Sequence, residues 1–145
     1  MRFFTFRALL LLLAPLAAGC GDDSPTTPTT PTSPITVTEQ FSSDDTPEKP
    51  PLNPNGGRTH PFIVQQAGTV SARLTALSPD ETVTVGLSLG TWNGQVCQII
   101  LANDAAVLNT SVTGTAQQTG TFCVRIYDIG KLTASTSYSI DVTHF

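Results

Sequence analysis

Short runs of alternating apolar and polar residues fill the chain from Ile35 to Phe145, and turn residues separate them at intervals of about eight to twelve positions. The clearest run places Val83, Val85, Leu87 and Leu89 on one side of an extended strand. A helix would instead need apolar residues three and four positions apart, and this part of the sequence has no such period over a helical length. The pattern therefore predicts an all-β domain.

About eight antiparallel strands are expected, and two packed sheets are the natural way to bury their apolar faces, so we predict a β-sandwich. In the third strand, Val70, Ala72, Leu74 and Ala76 should face the core. The segment from Val96 to Leu101 is apolar on both faces, which favours a central strand over an edge strand. The predicted strands are 35–41, 59–66, 69–76, 83–89, 95–102, 107–113, 121–127 and 137–143.

The start of the chain has the three parts of a secretory signal. Arg2 and Arg7 form a basic beginning, an apolar segment runs from Ala8 to Ala14, and small residues lead up to Cys20. This arrangement resembles the bacterial lipoprotein signal, in which the cysteine carries a diacylglycerol thioether and becomes the first mature residue. It implies a signal peptide over residues 1–19 and a lipid anchor on Cys20 in the bacterial cell envelope, at the outer membrane. The alternative is an ordinary signal peptide that leaves Cys20 as a thiol.

Two proline-rich segments flank the first predicted strand. Residues 20–34 have prolines spaced three apart and almost no apolar side chains, which predicts a semi-rigid polyproline II tether ahead of the domain at 35–145. A second segment, Ser42 to Arg58, predicts a loop too long for a tight turn. Its acidic residues offer few of the six to eight oxygens that calcium needs, so a solvated loop is favoured over a metal site. They are Asp44, Asp45 and Glu48.

The cysteines and the charge narrow the function classes. With Cys20 assigned to lipid, Cys97 and Cys123 remain as an even pair in an oxidising compartment, and we predict a disulfide between neighbouring or facing strands. Two separate thiols are the alternative, and a zinc site would lack further cysteine or histidine ligands at the usual spacing.

The formal charge is -4, and removal of the two signal arginines leaves about -6 with no basic cluster, so nucleic acid is not an expected partner.

The C-terminal half resembles the ending of bacterial pre-peptidase C-terminal domains. The similarity lies in the segment Gly120 to Asp128, read as GTFCVRIYD, followed by Gly130 and by Tyr138 to Val142. The segments His60 to Phe62 and Gln66 to Val70 extend it over most of the domain. The resemblance implies a small jelly-roll-like module of an exported protein, which acts as a binding, accessory or chaperoning unit and not as a catalyst.

No catalytic constellation, metal site or cofactor is expected from the residues. His60 and His144 have no nucleophile motif nearby, and Arg125 and Asp128 are better explained as groups that close the following turn. Trp92 lies at a predicted Asn-Gly hairpin, where a lid over the sandwich end is the favoured explanation for a single aromatic residue. It is also the candidate ligand contact, because its flat face can pack on a sugar ring or a partner protein.

The predicted function is therefore a membrane-anchored binding or accessory module for envelope proteins or extracellular polymers. A purely structural envelope component is the second hypothesis and a secreted hydrolase the third, because a sandwich fold by itself does not select among them.

Overall fold

The computed structural model describes residues 35–145, which form eight β-strands and no helix. The predicted signal peptide, Cys20 and the tether lie outside the described residues. Within 35–145, nothing qualifies as a helix long and apolar enough to cross a membrane. The strands are β1 (Val37–Ser42), β2 (Gly57–Val64), β3 (Gly68–Ser78), β4 (Val85–Trp92), β5 (Cys97–Ala106), β6 (Ser111–Ala116), β7 (Gly120–Tyr127) and β8 (Ser137–His144).

The strands form two four-stranded antiparallel sheets, so the predicted β-sandwich is confirmed. The first sheet has the order β1-β8-β3-β6 and the second the order β2-β7-β4-β5. The chain changes sheet at every connection except the β4–β5 hairpin, which gives the double Greek-key order of a jelly roll. Ser33–Phe145 is a compact unit that contains all eight strands and the buried core, so it has what it needs to fold alone.

The core lies between the sheets and follows the two-residue period of the strands. On β4, Leu87 and Leu89 pair with Ile126 and Val124 of β7, and all four face inward. On β3 and β8 the buried residues again alternate with polar ones, as the sequence pattern predicts. The buried apolar residues of these two strands are Val70, Ala72, Leu74, Leu77, Tyr138, Ile140 and Val142.

The alternation in β3 changes phase near its end, so the prediction for one residue was wrong. The pairing of β3 with β8 shifts between Leu74 and Ala76, where β3 has an extra residue. An extra residue in one strand turns the following side chains to the opposite face. Ala76 is therefore exposed, and Leu77 takes the core position in its place.

The prediction that the apolar segment Val96 to Leu101 is a central strand was also wrong. It belongs to β5 and the turn before it, and β5 is an edge strand that pairs only with β4 among the described strands. Its large apolar side chains are solvent-exposed, from 38% for Leu101 to 66% for Ile100. Apolar residues on both faces therefore do not distinguish a strand covered by this chain from one that is left open.

The predicted disulfide is present, with the Cα atoms of Cys97 and Cys123 5.8 Å apart. The placement of its strands was predicted wrongly, because β5 and β7 are neither neighbours nor on facing sheets: β4 lies between them. Gly90 of β4 explains how the disulfide can cross this strand. A Cβ there would collide with the backbone carbonyl of Gln98, so only glycine lets β5 come this close to β4. The start of β5 thus passes close over the outer face of β4 and brings Cys97 to Cys123.

Candidate binding site on the outer face of the second sheet

Trp92 is the last residue of β4 and its side chain is half-buried. The predicted Asn-Gly hairpin follows it: Gly94 has a φ of 95°, which is accessible to glycine, and the side-chain oxygen of Asn93 accepts hydrogen bonds from Gln95 N (2.9 Å) and Val96 N (2.7 Å). These bonds fix the turn that carries the chain from Trp92 into β5. The indole is therefore presented by a well-defined hairpin.

A concave site of about 310 Å³ lies beside Trp92 on the outer face of the second sheet. We call it the Trp92 pocket. Strands β2, β4 and β7 and the β4–β5 hairpin all contribute to its walls, because outward-facing residues of neighbouring strands lie side by side. The lining residues are Gly57, Thr59, Trp92, Gln95, Val96, Cys97 and Arg125.

Arg125 supplies the positive charge of this pocket. The guanidinium Nη2 lies 2.9 Å from the position that a Cβ would take at Gly57, so the glycine leaves the space that the arginine occupies. Its Cζ lies 5.3 Å from the centre of the Tyr127 ring, a cation–π distance. Among the described residues, no Asp or Glu forms an ion pair with Arg125. Its hydrogen-bond donors thus remain available to an acidic ligand.

Tyr127 supports Arg125 from the adjacent outward position of β7. Its ring covers Gly86, where a Cβ would collide with it, and its hydroxyl donates to the carboxylate of Asp104. Partial burial, and then the hydrogen bond to Asp104, raise the pKa of Tyr127 to about 12. The phenol therefore keeps its proton and its position at neutral pH, which stabilises the surface on which Arg125 lies.

Asp128, the other polar residue at the end of β7, has the turn-closing role predicted for it. Its carboxylate accepts backbone hydrogen bonds from Asn55 N (2.7 Å), Lys131 N (2.8 Å) and Leu132 N (3.0 Å). Partial burial raises the pKa of this carboxyl, but the backbone donors outweigh that effect and the net shift is downward. Asp128 thus joins the β1–β2 loop to the turn after β7.

The long loop predicted from Ser42 to Arg58 contributes only its end, Gly57, to the Trp92 pocket. Its middle lines a separate cavity of about 210 Å³ between β1 and β2, together with Phe41, His60 and Tyr138. Most of the loop therefore lies at a different surface from Trp92.

The chemistry of that second cavity is built on a histidine and a tyrosine. His60 Nε2 lies 2.7 Å from the hydroxyl of Tyr138, and Phe41 stacks on the imidazole with 5.0 Å between ring centres. Burial, and then the charge of Arg58, lower the pKa of His60, while burial raises the pKa of Tyr138 to about 12. A neutral imidazole can accept the phenol proton in a hydrogen bond. The pair is consistent with a satisfied buried polar contact.

The acidic part of the loop forms local hydrogen bonds. Asp44 Oδ1 accepts from the hydroxyl of Thr46 (2.6 Å) and from its backbone N (3.2 Å), and Asp44 Oδ2 lies 4.0 Å from Lys49 Nζ. The Thr46 hydroxyl is the main cause of the lowered pKa of Asp44. Within 35–145, no group of three or more His, Cys, Asp or Glu residues is arranged to hold a metal ion. The Asp44 carboxylate is thus engaged in bonds within its own loop.

Sequence patterns located Trp92 but not its partners. Arg125 was assigned to the turn after β7, and this was wrong: Asp128 accepts the hydrogen bonds of that turn, whereas Arg125 lines the Trp92 pocket. For Arg125 and Thr59 the sequence shows only outward-facing positions on predicted strands. Their approach to Trp92 depends on the β2-β7-β4 order and on the register His60↔Val124 and Thr91↔Phe122, which local patterns do not determine.

No protein-family model and no curated protein sequence matches this chain. Among solved structures, it is similar to a Yersinia pseudotuberculosis-derived mitogen, with 16% identity and a TM-score of 0.49 over 78% of this chain and 88% of the mitogen. A periplasmic inhibitor of g-type lysozyme from Aeromonas hydrophila gives 8% identity and a TM-score of 0.45, covering 76% and 83%. A structure of Bacillus endospore appendages, disulfide-linked pili, gives 12% and 0.39, covering 76% and 84%.

Proposed function

We propose that the protein is a lipid-anchored, non-catalytic binding module of the bacterial cell envelope, and that its sandwich domain binds an acidic extracellular polysaccharide in the Trp92 pocket. The observation that carries the proposal is that a half-buried indole and the guanidinium of Arg125 line the same open pocket. The resemblance to pre-peptidase C-terminal modules supports the binding role, and the lipoprotein-like signal supports the location.

The chemistry of the pocket suits a sugar ring that carries a carboxylate. The face of Trp92 packs well against the C–H groups of a saccharide. The planar guanidinium of Arg125 can donate two parallel hydrogen bonds to a carboxylate. Thr59 and Gln95 add a hydroxyl and an amide for neighbouring hydroxyl groups. Such a set of groups orients an acidic sugar without performing chemistry on it.

The disulfide supports this pocket mechanically. Cys97 lies in its wall, and its bond to Cys123 ties the β4–β5 hairpin to β7, the strand that carries Arg125. Groups on sheet strands are held more precisely than groups on free loops, and precise placement lowers the cost of ordering the site on binding.

The proposed anchor is the lipid on Cys20, followed by the proline-rich tether. Two or three acyl chains give stable membrane retention, whereas a single chain does not. An extended polyproline II segment spans about 3.1 Å per residue, so residues 20–34 would hold the domain roughly 40 Å from the membrane. At that distance the pocket would reach polymers outside the lipid headgroups.

Retention on immobilised acidic polysaccharide tests the proposal with the domain from Ser33 to Phe145. Trp92→Ala and Arg125→Gln should each weaken retention at least about tenfold, a loss of about 1.4 kcal/mol. Trp92→Phe keeps an aromatic face and Arg73→Gln removes an arginine from the other sheet, so both matched variants should be retained like the parent. If all four variants are retained as well as the parent, the Trp92 pocket is not the binding site. No retention of the parent by acidic polymers would favour the structural hypothesis.

A further inference from the structure

The side of the sandwich formed by β5 and β6 is almost without charge. Asp104 is the only Asp, Glu, Lys or Arg between Glu81 and Arg125 in the sequence, and its carboxylate accepts the hydrogen bond from Tyr127. Edge strands are normally protected by lysine or proline. The edge strand β2 contains Pro61, whereas β5 contains neither residue. The β5 edge therefore lacks the side chains that usually keep such a strand from contacting another protein.

This side carries a projecting side chain next to a recess. The pairing of β4 with β5 shifts where Leu89 opposes Leu101 and Gly90 opposes Ile99, which leaves Ile100 as an extra residue without a partner on β4. Its side chain is 66% exposed. Ile100 also forms part of the rim of a half-open recess of about 50 Å³ between β5 and β6, which reaches the core at Val70 and Phe122. The recess exists partly because Gly114 has no side chain: a Cβ there would lie 2.6 Å from Leu101.

We propose that this side is the contact between two copies of the chain, related by a twofold axis near Ile100, with Ile100 of each copy inserted into the recess of the other. A projection and a recess on one patch are self-complementary under a twofold rotation, as an isologous contact requires. The recess has room for the end of one branched aliphatic side chain and offers it an almost entirely apolar lining.

Charge does not oppose a second copy as the occupant, and the scarcity of charge suits an apolar contact between identical surfaces. Like charges facing each other would oppose self-association, but β5 has only Asp104. An antiparallel arrangement centred on Ile100 places the two Asp104 residues more than about 20 Å apart, since strands rise about 3.4 Å per residue. That distance exceeds the Debye length of about 8 Å at physiological ionic strength, so their repulsion is screened.

The bulge at Ile100 interrupts the free backbone edge, so the contact rests on side-chain packing and not on one continuous sheet. The exposed apolar residues that it would cover are Ile99, Ile100 and Leu101. This is a small patch compared with the roughly 800 Å² per partner of a standard interface, so we expect a weak dimer. Anchoring both copies in one membrane would raise their effective concentration. The contact is separate from the Trp92 pocket and does not depend on its ligand.

Sedimentation equilibrium of the domain from Ser33 to Phe145 tests this inference. The parent should dimerise reversibly below about 1 mM, a range that includes weak interfaces. Ile100→Lys should raise the dissociation constant at least about tenfold, because it places two like charges at the axis. Ile63→Lys is the matched control: Ile63 is 61% exposed on the edge strand β2, and this variant should dimerise like the parent.

A charge-pairing experiment tests the twofold geometry. An equimolar mixture of Ile100→Lys and Ile100→Asp should form a heterodimer that neither variant forms alone, because both residues lie at the axis. A parent that stays monomeric at 1 mM, or a parent dimer that Ile100→Lys leaves intact, would overturn the proposal. Monomeric parent that instead binds an uncharged extended peptide or a lipid vesicle through Ile100 would assign this side to a different partner.

Discussion

The two sides of the sandwich at which the edges of the sheets meet are covered in different ways. At one side, between β1 and β2, the long loop crosses from sheet to sheet and polar groups close the gap. At the other side, between β5 and β6, the edges stay open, β5 exposes large apolar side chains, and the disulfide on the outer face holds β5 in place. The comparison shows that the same two sheets can be sealed by the chain itself or left available for contact.

The β1/β2 side is closed by one buried apolar residue of the loop and by several hydrogen bonds. Leu52 is fully buried and its backbone pairs with Thr136 in both directions, at 3.0 and 2.9 Å. Ser43 accepts a hydrogen bond from Tyr138 N (2.9 Å), and the hydroxyl of Tyr138 meets His60. A loop this long is thus tied to the core at defined points, which removes the mobility that its length would suggest.

Loss of the disulfide should have the largest effect, and it tests how far the β5/β6 side depends on this bond. In the loop-entropy model, a ring between residues separated by 26 positions contributes about 3.5 kcal/mol to the free energy of unfolding. We expect the double variant Cys97→Ala, Cys123→Ala to lose about that much in urea unfolding of the domain. A reducing agent should lower the stability of the parent similarly and leave the variant unchanged; a loss below about 1 kcal/mol would contradict the expectation.

The second prediction addresses the β1/β2 side. Leu52→Ala should lower the free energy of unfolding by about 3 kcal/mol, because truncation of a buried leucine removes apolar burial and leaves a cavity. Ile63→Ala, at an exposed apolar residue of β2, should cost less than about 0.5 kcal/mol. If the two variants unfold at the same urea concentration, the loop does not seal this side as described.

The third and smallest effect concerns pH. Burial lowers the pKa of His60 in the folded protein, so the unfolded chain binds its proton more readily. The stabilisation by neutral His60 is full above the unfolded pKa of about 6.5 and is lost as the pH falls through the folded pKa. We expect His60→Gln to show less loss of stability between pH 7.5 and 5 than the parent, by an amount smaller than the two effects above.

Urea unfolding of the parent and of His60→Gln at each pH isolates the contribution of His60 to stability, because His144 is present in both proteins. An identical pH dependence for the parent and His60→Gln would show that the His60–Tyr138 contact does not discriminate against the protonated imidazole. The β1/β2 side would then be no more sensitive to acid than the β5/β6 side.

Strand positions and the disulfide followed from the sequence because they depend on local periodicity and on cysteine count. All eight predicted strands overlap the observed ones. The edge position of β5 did not follow, since its apolar residues match those of a central strand, and its exposure depends on sheet order. Only one side of the Trp92 pocket was predicted, for the same reason. Trp92 lies at a hairpin that the local sequence indicates, whereas Arg125 comes close to Trp92 only through the order and register of three strands.

The scarcity of charge between Glu81 and Arg125 also decides how the disulfide can be mapped. Trypsin cleaves after lysine and arginine, and none occurs between Arg73 and Arg125, so β4, β5 and β6 remain in one peptide together with Cys97 and Cys123. The disulfide then closes a ring inside a single fragment. Mass spectrometry of a tryptic digest will show it as a peptide lighter by two hydrogens and not as two peptides joined together, and a second cleavage within the ring is needed to prove the pairing.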